Sequence, residues 1–205
     1  MDTLVLLLAL GCPAQGAFYA QPVQVTPALV CAAQHAIRWR DAAWTVPQCD
    51  ARTWDFKAAG LRWGVDPAQL LAMAIAESDL RVEAIRDNGN GDRPAVDVGL
   101  MAVRCILSPD VSHDKCRNKP VRGLDIPHLM RPSTNIDMGA RILATLHRGS
   151  LRSYNGGTRE HGYAGKISAI MSALGGVEMR VEGKRLRELV KRLARAQDKL
   201  ATEKP

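Results

Sequence analysis

One stretch limits the fold of this chain more than any other: Asp66 to Ser78, which reads DPAQLLAMAIAES. Asp66 and Pro67 supply an N-cap and a proline at the first helical position. Leu70, Leu71, Met73, Ala74 and Ile75 then leave almost no polar face, and a helix that is apolar all round is buried. The other elements must therefore wrap around it. Glu77 closes the run, stacked over Met73 and Leu70 one and two turns back. A carboxylate there is desolvated and lies near the negative end of the helix dipole, and both effects favour its protonated form. A carboxylic acid kept neutral near neutral pH is what a general acid must be. The plainer reading is that Glu77 marks where the helix surfaces.

The 205 residues suffice for one domain with a sizeable core. They are 46% hydrophobic but only 4% aromatic, which points to a helical core of Ala, Leu, Val and Ile. The net charge of +7 makes acidic polymers plausible partners: nucleic acid, anionic lipid or wall polyanions. No Lys/Arg run interleaved with aromatics and no nucleic-acid motif occurs, which argues against nucleic acid. Residues 1–16 read as an export signal. Leu4 to Leu10 is apolar but too short to span a bilayer, and Ala14 and Gly16 offer a small-x-small cleavage site before Ala17. The segment lacks a basic n-region and carries Asp2, whose removal takes the net charge from +7 to +8. Lipidation at Cys12, in ALGC, is a second option.

Cys31, Cys49, Cys105 and Cys116 remain behind that signal, an even number that implies disulfides in an oxidising compartment. Of the three connectivities, the local pairs Cys31–Cys49 and Cys105–Cys116 are favoured, each closing a short loop. A zinc site of Cys105, His113 and Cys116 is the alternative, with a spacing that fits no common zinc pattern.

Along the chain, Thr26-Pro27 starts a helix to about Ala42, with Leu29, Val30, Ala33 and Ile37 on one face. Pro47 breaks the chain, and Asp50 caps a helix to about Trp63 with Trp54, Ala58 and Leu61 inward. Trp44, Trp54 and Trp63 are expected in core and interhelix packing. Asp87 to Asp92, DNGNGD, has turn chemistry and departs from the calcium-loop pattern at Gly89. Ser133 to Asn135 caps a helix over Ile136 to Arg148 with Ile136, Gly139, Leu143 and Leu146 inward. A tight loop, Ser153 to Gly157, precedes a helix from Tyr163 to Leu174. In the last element Leu186, Leu189, Val190, Leu193 and Leu200 sit at helical spacing. Residues 177–205 carry nine Lys/Arg against five Asp/Glu. Either a solvated amphipathic helix docks there on the domain, or the helix contacts a wall or membrane surface.

Four pieces stand in order: AIAES, VGLMAV, NIDMGARIL and SYNGG. Together, over roughly Gly64 to Leu174, they resemble the lytic transglycosylases, lysozyme-like enzymes that cleave peptidoglycan. The likeness is greatest to the small secreted members that accompany type IV secretion, conjugation and pilus machines, or serve phages. The resemblance implies a mainly α, lysozyme-like fold with a rudimentary β segment around Asp87 to Val103. It divides the chain into a signal peptide (1–16), an N-terminal helical segment (17–63), a catalytic domain (64–176) and a basic amphipathic C-terminal helix (177–205).

It also implies roles. Glu77 would be the catalytic acid, and Ser78 would bond near it or near the sugar. Gly99, Leu100 and Met101 match a strand lining the cleft, whose usual Gln is here Ala102. Asn135 and Gly139 match a helix start packed near the cleft. Tyr154 and Asn155 match a loop whose Tyr sits beside the acid and holds it or the substrate's acetamido group. No metal or cofactor is implied. The expected location is periplasmic or secreted. Two rivals remain: a goose-type hydrolase using Asp92 or Asp97 to position water, and a non-catalytic wall-binding scaffold.

Overall fold

The structure, a computed structural model, describes residues 22–37, 43–89, 94–107, 115–154, 160–176 and 184–202. The expected leader with Cys12, and Asp92, His113 and Asn155, lie outside them.

The buried axis is α3 (Pro67–Ser78). Asp66 caps it by accepting from the Ala68 N–H, and Leu70 through Ile75 are fully buried. Against it pack α2 (Val46–Trp63), α5 (Pro132–Arg141) and α7 (Glu160–Leu174), and α1 (Pro27–Ile37) packs on α2. Two shorter helices, α4 (Ile126–Met130) and α6 (Leu151–Tyr154), lead into α5 and α7, and α8 (Lys184–Thr202) packs across α1 and α7. Between α3 and α4 lies a three-stranded antiparallel sheet of β1 (Ile85–Asp87), β2 (Ala95–Val98) and β3 (Val103–Ile106). Val98 pairs with Ile85 on one side and Val103 on the other. The fold is thus mainly α with a small β segment, as expected.

Both local disulfides are present. Cys31–Cys49 ties α1 to α2, and Cys105–Cys116 ties β3 to the segment before α4. A zinc site on Cys105 and Cys116 is thereby corrected, because both sulfurs are consumed in the bond.

Three further expectations are corrected. α2 begins at Val46, not after Asp50: Thr45 and Gln48 form a capping box, and Pro47 sits in the first turn, where its missing N–H is harmless. Its buried face is Cys49, Thr53, Phe56, Ala59 and Gly60, so Trp54 and Leu61 point outward at 72% and 89% exposure. The disulfide through Cys49 turns that face toward α1, and the small Ala59 and Gly60 let neighbours close in. Trp44 is half-buried against the core. Trp63 is also half-buried and donates its indole N–H to Asp137 at 2.9 Å.

The helix after Pro132 does not run regularly to Arg148. It passes at Ile142–Leu146 into one π-helical turn. That turn takes an extra residue, so Leu146, inward by the 3.6-residue period, is 56% exposed while Ile136, Gly139 and Leu143 stay buried. Finally, Asn135 is not a cap. Arg131 holds the N-cap position, and Asn135 is a buried residue of the first turns.

Candidate active site

The C-terminal end of α3 opens into a cleft of about 400 Å³. Its walls include Glu77, Asp97 on β2, Ala102 to Arg104 on β3 and its approach, Asn118 to Pro120, the π turn with His147, and Tyr154. Elements far apart in sequence converge here because each is tied to α3 or to the sheet.

The tie between sheet and α5 is a reciprocal fit of the two middle motifs. Gly99 turns the chain at φ +74°, and a Cβ there would lie inside 3 Å of the Asn135 amide. Into that space Asn135 sends its side chain. Its Oδ1 accepts from the Met101 N–H at 2.7 Å, and its Nδ2 donates to the carbonyls of Val98 and Leu129, both at 2.8 Å. In return, Gly139 leaves room for Met101, whose side chain would meet a Cβ at 2.7 Å. Leu100 and Met101 are fully buried, so Gly99, Leu100 and Met101 support the cleft from behind. The surface they present is the next residue, Ala102, held at φ +45°, a conformation that is uncommon for a non-glycine residue and found at functional sites. On the opposite side Asn118 accepts from the Ile106 N–H at 2.7 Å and donates to the Arg104 carbonyl at 2.9 Å, which clamps that wall to β3.

Glu77 is half-buried at the mouth of this frame. The Tyr163 hydroxyl, from α7, donates to its Oε1 at 2.6 Å. Lys166 donates to the Ala76 carbonyl at 2.8 Å, and Arg86 donates to the Glu77 carbonyl. Two cations thus satisfy carbonyls that a helix end leaves unpaired. Burial pushes the Glu77 pKa up; the Tyr163 bond, Lys166 and Arg86 pull it back, and Asp97 adds to the rise. Burial wins, and the pKa stands above the ordinary carboxylate value.

Tyr154 stacks on Tyr163 with ring centroids 6.1 Å apart, and its hydroxyl donates to the Met101 carbonyl at 3.2 Å. Burial raises both phenols, so both remain proton donors. Tyr154 therefore lies beside the acid, but the bond to Glu77 comes from Tyr163. Ser78 is buried and donates to the Ala74 carbonyl at 3.0 Å, turned into its own helix and away from the cleft. Asp97 faces the cleft with both oxygens engaged: Oδ1 by Arg104 at 3.1 Å and Oδ2 by Asn88 at 2.5 Å.

Tyr163 was not legible as a site residue. It heads the buried stripe Tyr163, Ile167, Ile170, and nothing in the spacing links it to a carboxylate 86 residues earlier. Among the described residues no group of three His, Cys, Asp or Glu side chains gathers as a metal site.

The sequence profile of the transglycosylase SLT domain matches residues 55–170, more than half of the chain. The chain belongs to the transglycosylase SLT family. The matched span holds α3, the sheet, the Asn135 clamp and Tyr163, which are the parts that build the cleft. Outside it in this SLT protein lie α1, the start of α2, the end of α7 and α8; α1 packs on α2, and α8 packs on α1 and α7. No curated protein and no solved structure matches the chain. Family membership assigns the protein to lytic transglycosylase-type action on peptidoglycan in general terms.

Proposed function

We propose that the protein is a peptidoglycan lytic transglycosylase in which Glu77 serves as both acid and base. One observation carries this: Glu77 alone among the described carboxylates stands in the cleft desolvated, hydrogen-bonded by a buried phenol and raised in pKa. Protonated Glu77 would give its proton to the glycosidic oxygen between N-acetylmuramic acid and N-acetylglucosamine as the bond to the sugar carbon breaks. The substrate's acetamido group can stabilise the positive centre. Glu77, now a carboxylate, would take the proton of the muramic 6-hydroxyl while that oxygen closes on the same carbon. The product is a 1,6-anhydro sugar, no water is consumed, and Glu77 ends protonated again. Tyr163 would steady the carboxylate between the two steps. The cleft surface at Ala102 offers no side-chain amide to the sugar.

The goose-type hydrolase needs a second carboxylate to position water. Asp97 is the described candidate, and its engagement with Arg104 and Asn88 leaves it poorly placed for that work. The leader-like 1–16 and the two disulfides support export to the periplasm or medium. Local wall opening for a secretion, conjugation or pilus assembly extends the same reading, on the strength of the resemblance alone. Mass spectrometry of digested sacculi tests the proposal. Muropeptides lighter by one water than hydrolysed ones support it, and products with reducing ends favour the hydrolase.

A further inference from the structure

A second concavity, larger than the cleft, lies elsewhere on the described chain. It is a groove of about 810 Å³ between α1 and α8, and it shares no residue with the cleft. Ala28, Ala32 and Ala36 recur once per turn along its α1 wall, and Val46, 67% exposed, also lines it. Arg192, Arg195 and Lys199 recur once per turn along its α8 wall. Neither Arg192 nor Arg195 pairs with a carboxylate among the described residues, and no Asp or Glu lines the groove.

We infer that this groove docks an acidic amphipathic helix of a partner protein. Both walls repeat at the pitch of a helix, so an incoming helix can seat one side chain per turn between alanines that allow close backbone approach. Its apolar face meets the α1 wall and Val46, and carboxylates one turn apart meet the arginines. The charge pattern excludes the nearest competitors. A second copy brings the same cations. Residues 1–21 of this chain carry Asp2 as their only charge and cannot match the arginine row. A bilayer needs a cluster of protruding bulky apolar groups, yet Val190 and Leu193 of α8 are spent inside the domain and Val46 is the one large exposed hydrophobic among the residues that line the groove. The inference stands whether or not the cleft cleaves peptidoglycan.

The test uses the full chain and a fluorescent peptide of roughly 18 residues, long enough to hold a helix, with Leu and Ala on one face and Glu once per turn on the other. A matched peptide with Lys in place of Glu is the control. The expected result is saturable binding of the Glu peptide that weakens with salt, and no binding of the Lys peptide. Arg192→Glu with Arg195→Glu should weaken binding by about tenfold or more. Both side chains are exposed, so the thermal unfolding midpoint should hold. Ala32→Leu, which fills the groove without touching its charge, should weaken binding as well. Failure of the Glu peptide to bind, equal binding of the Lys peptide, or binding indifferent to these variants overturns the inference. So does binding of phosphatidylglycerol vesicles without the peptide, which means a membrane surface, or a dimer that the same variants dissolve.

Discussion

Burial lifts the pKa of Glu77 and the Tyr163 hydroxyl pulls it back, so the acid is set by two opposed effects. The first step proposed above needs Glu77 protonated, and on that proposal the rate falls as pH rises through its pKa. A hydrogen bond donated to a carboxylate stabilises the ionised form. Tyr163→Phe removes that bond, lets burial act alone and raises the pKa further. The alkaline limb of the pH–rate profile should move to higher pH, because the ionised form loses a charge-assisted hydrogen bond. A limb that stays put or moves down would show that Tyr163 does not hold the acid. Tyr154→Phe should leave the limb nearly in place, because its hydroxyl is committed to the Met101 carbonyl. At this scale the position of Glu77 at the end of an all-apolar helix was legible in the sequence, because it is a local fact. It could not reveal Tyr163 as the partner, because that pairing exists only once α7 packs on α3.

At the scale of elements, the cleft depends on the sheet and α5 interlocking through Asn135, Gly99, Met101 and Gly139. Asn135→Ala would remove the side-chain partner of a buried N–H and two buried carbonyls. The expected loss is about 3 kcal/mol by urea unfolding, with the Ala102 surface and hence activity affected together. A loss well under 1 kcal/mol would mean that water or a shifted backbone replaces the amide. How legible an element was depended on how many local signals agreed. α3 had a cap, a first-turn proline and an apolar composition all round, and the structure follows it to the residue. For α2 the sequence reading turned Trp54 and Leu61 inward, whereas the structure buries the face of Cys49, which is bonded to α1, and Gly60, which lies against the start of α3. Leu146 was misread for a different reason: a π turn changes the period itself.

On the whole molecule, α8 is a brace. Val190 and Leu193 are buried between α1 and α7, and its basic outer face remains in solvent. Removing residues 184–205 should cost roughly 3–6 kcal/mol from those two side chains alone, seen as a marked fall in the thermal unfolding midpoint. An unchanged midpoint would show that α8 is a detachable tail, as a wall-binding extension would be.

The account rests on one carboxylate, and release of soluble muropeptides from purified sacculi tests it most directly across the wild type, Glu77→Gln, Asp92→Asn and Asp97→Asn. Glu77→Gln keeps the shape and removes the proton. Its folded pKa is raised, so ionised Glu77 lowers stability above the ordinary value of 4.5. The Gln variant should therefore unfold at or above the wild-type temperature at neutral pH, a gain that vanishes below that value. The account predicts no release by folded Glu77→Gln, and release by both Asp variants within about tenfold of wild type. Release by Glu77→Gln, or its loss in either Asp variant, would contradict a single acid that also serves as the base.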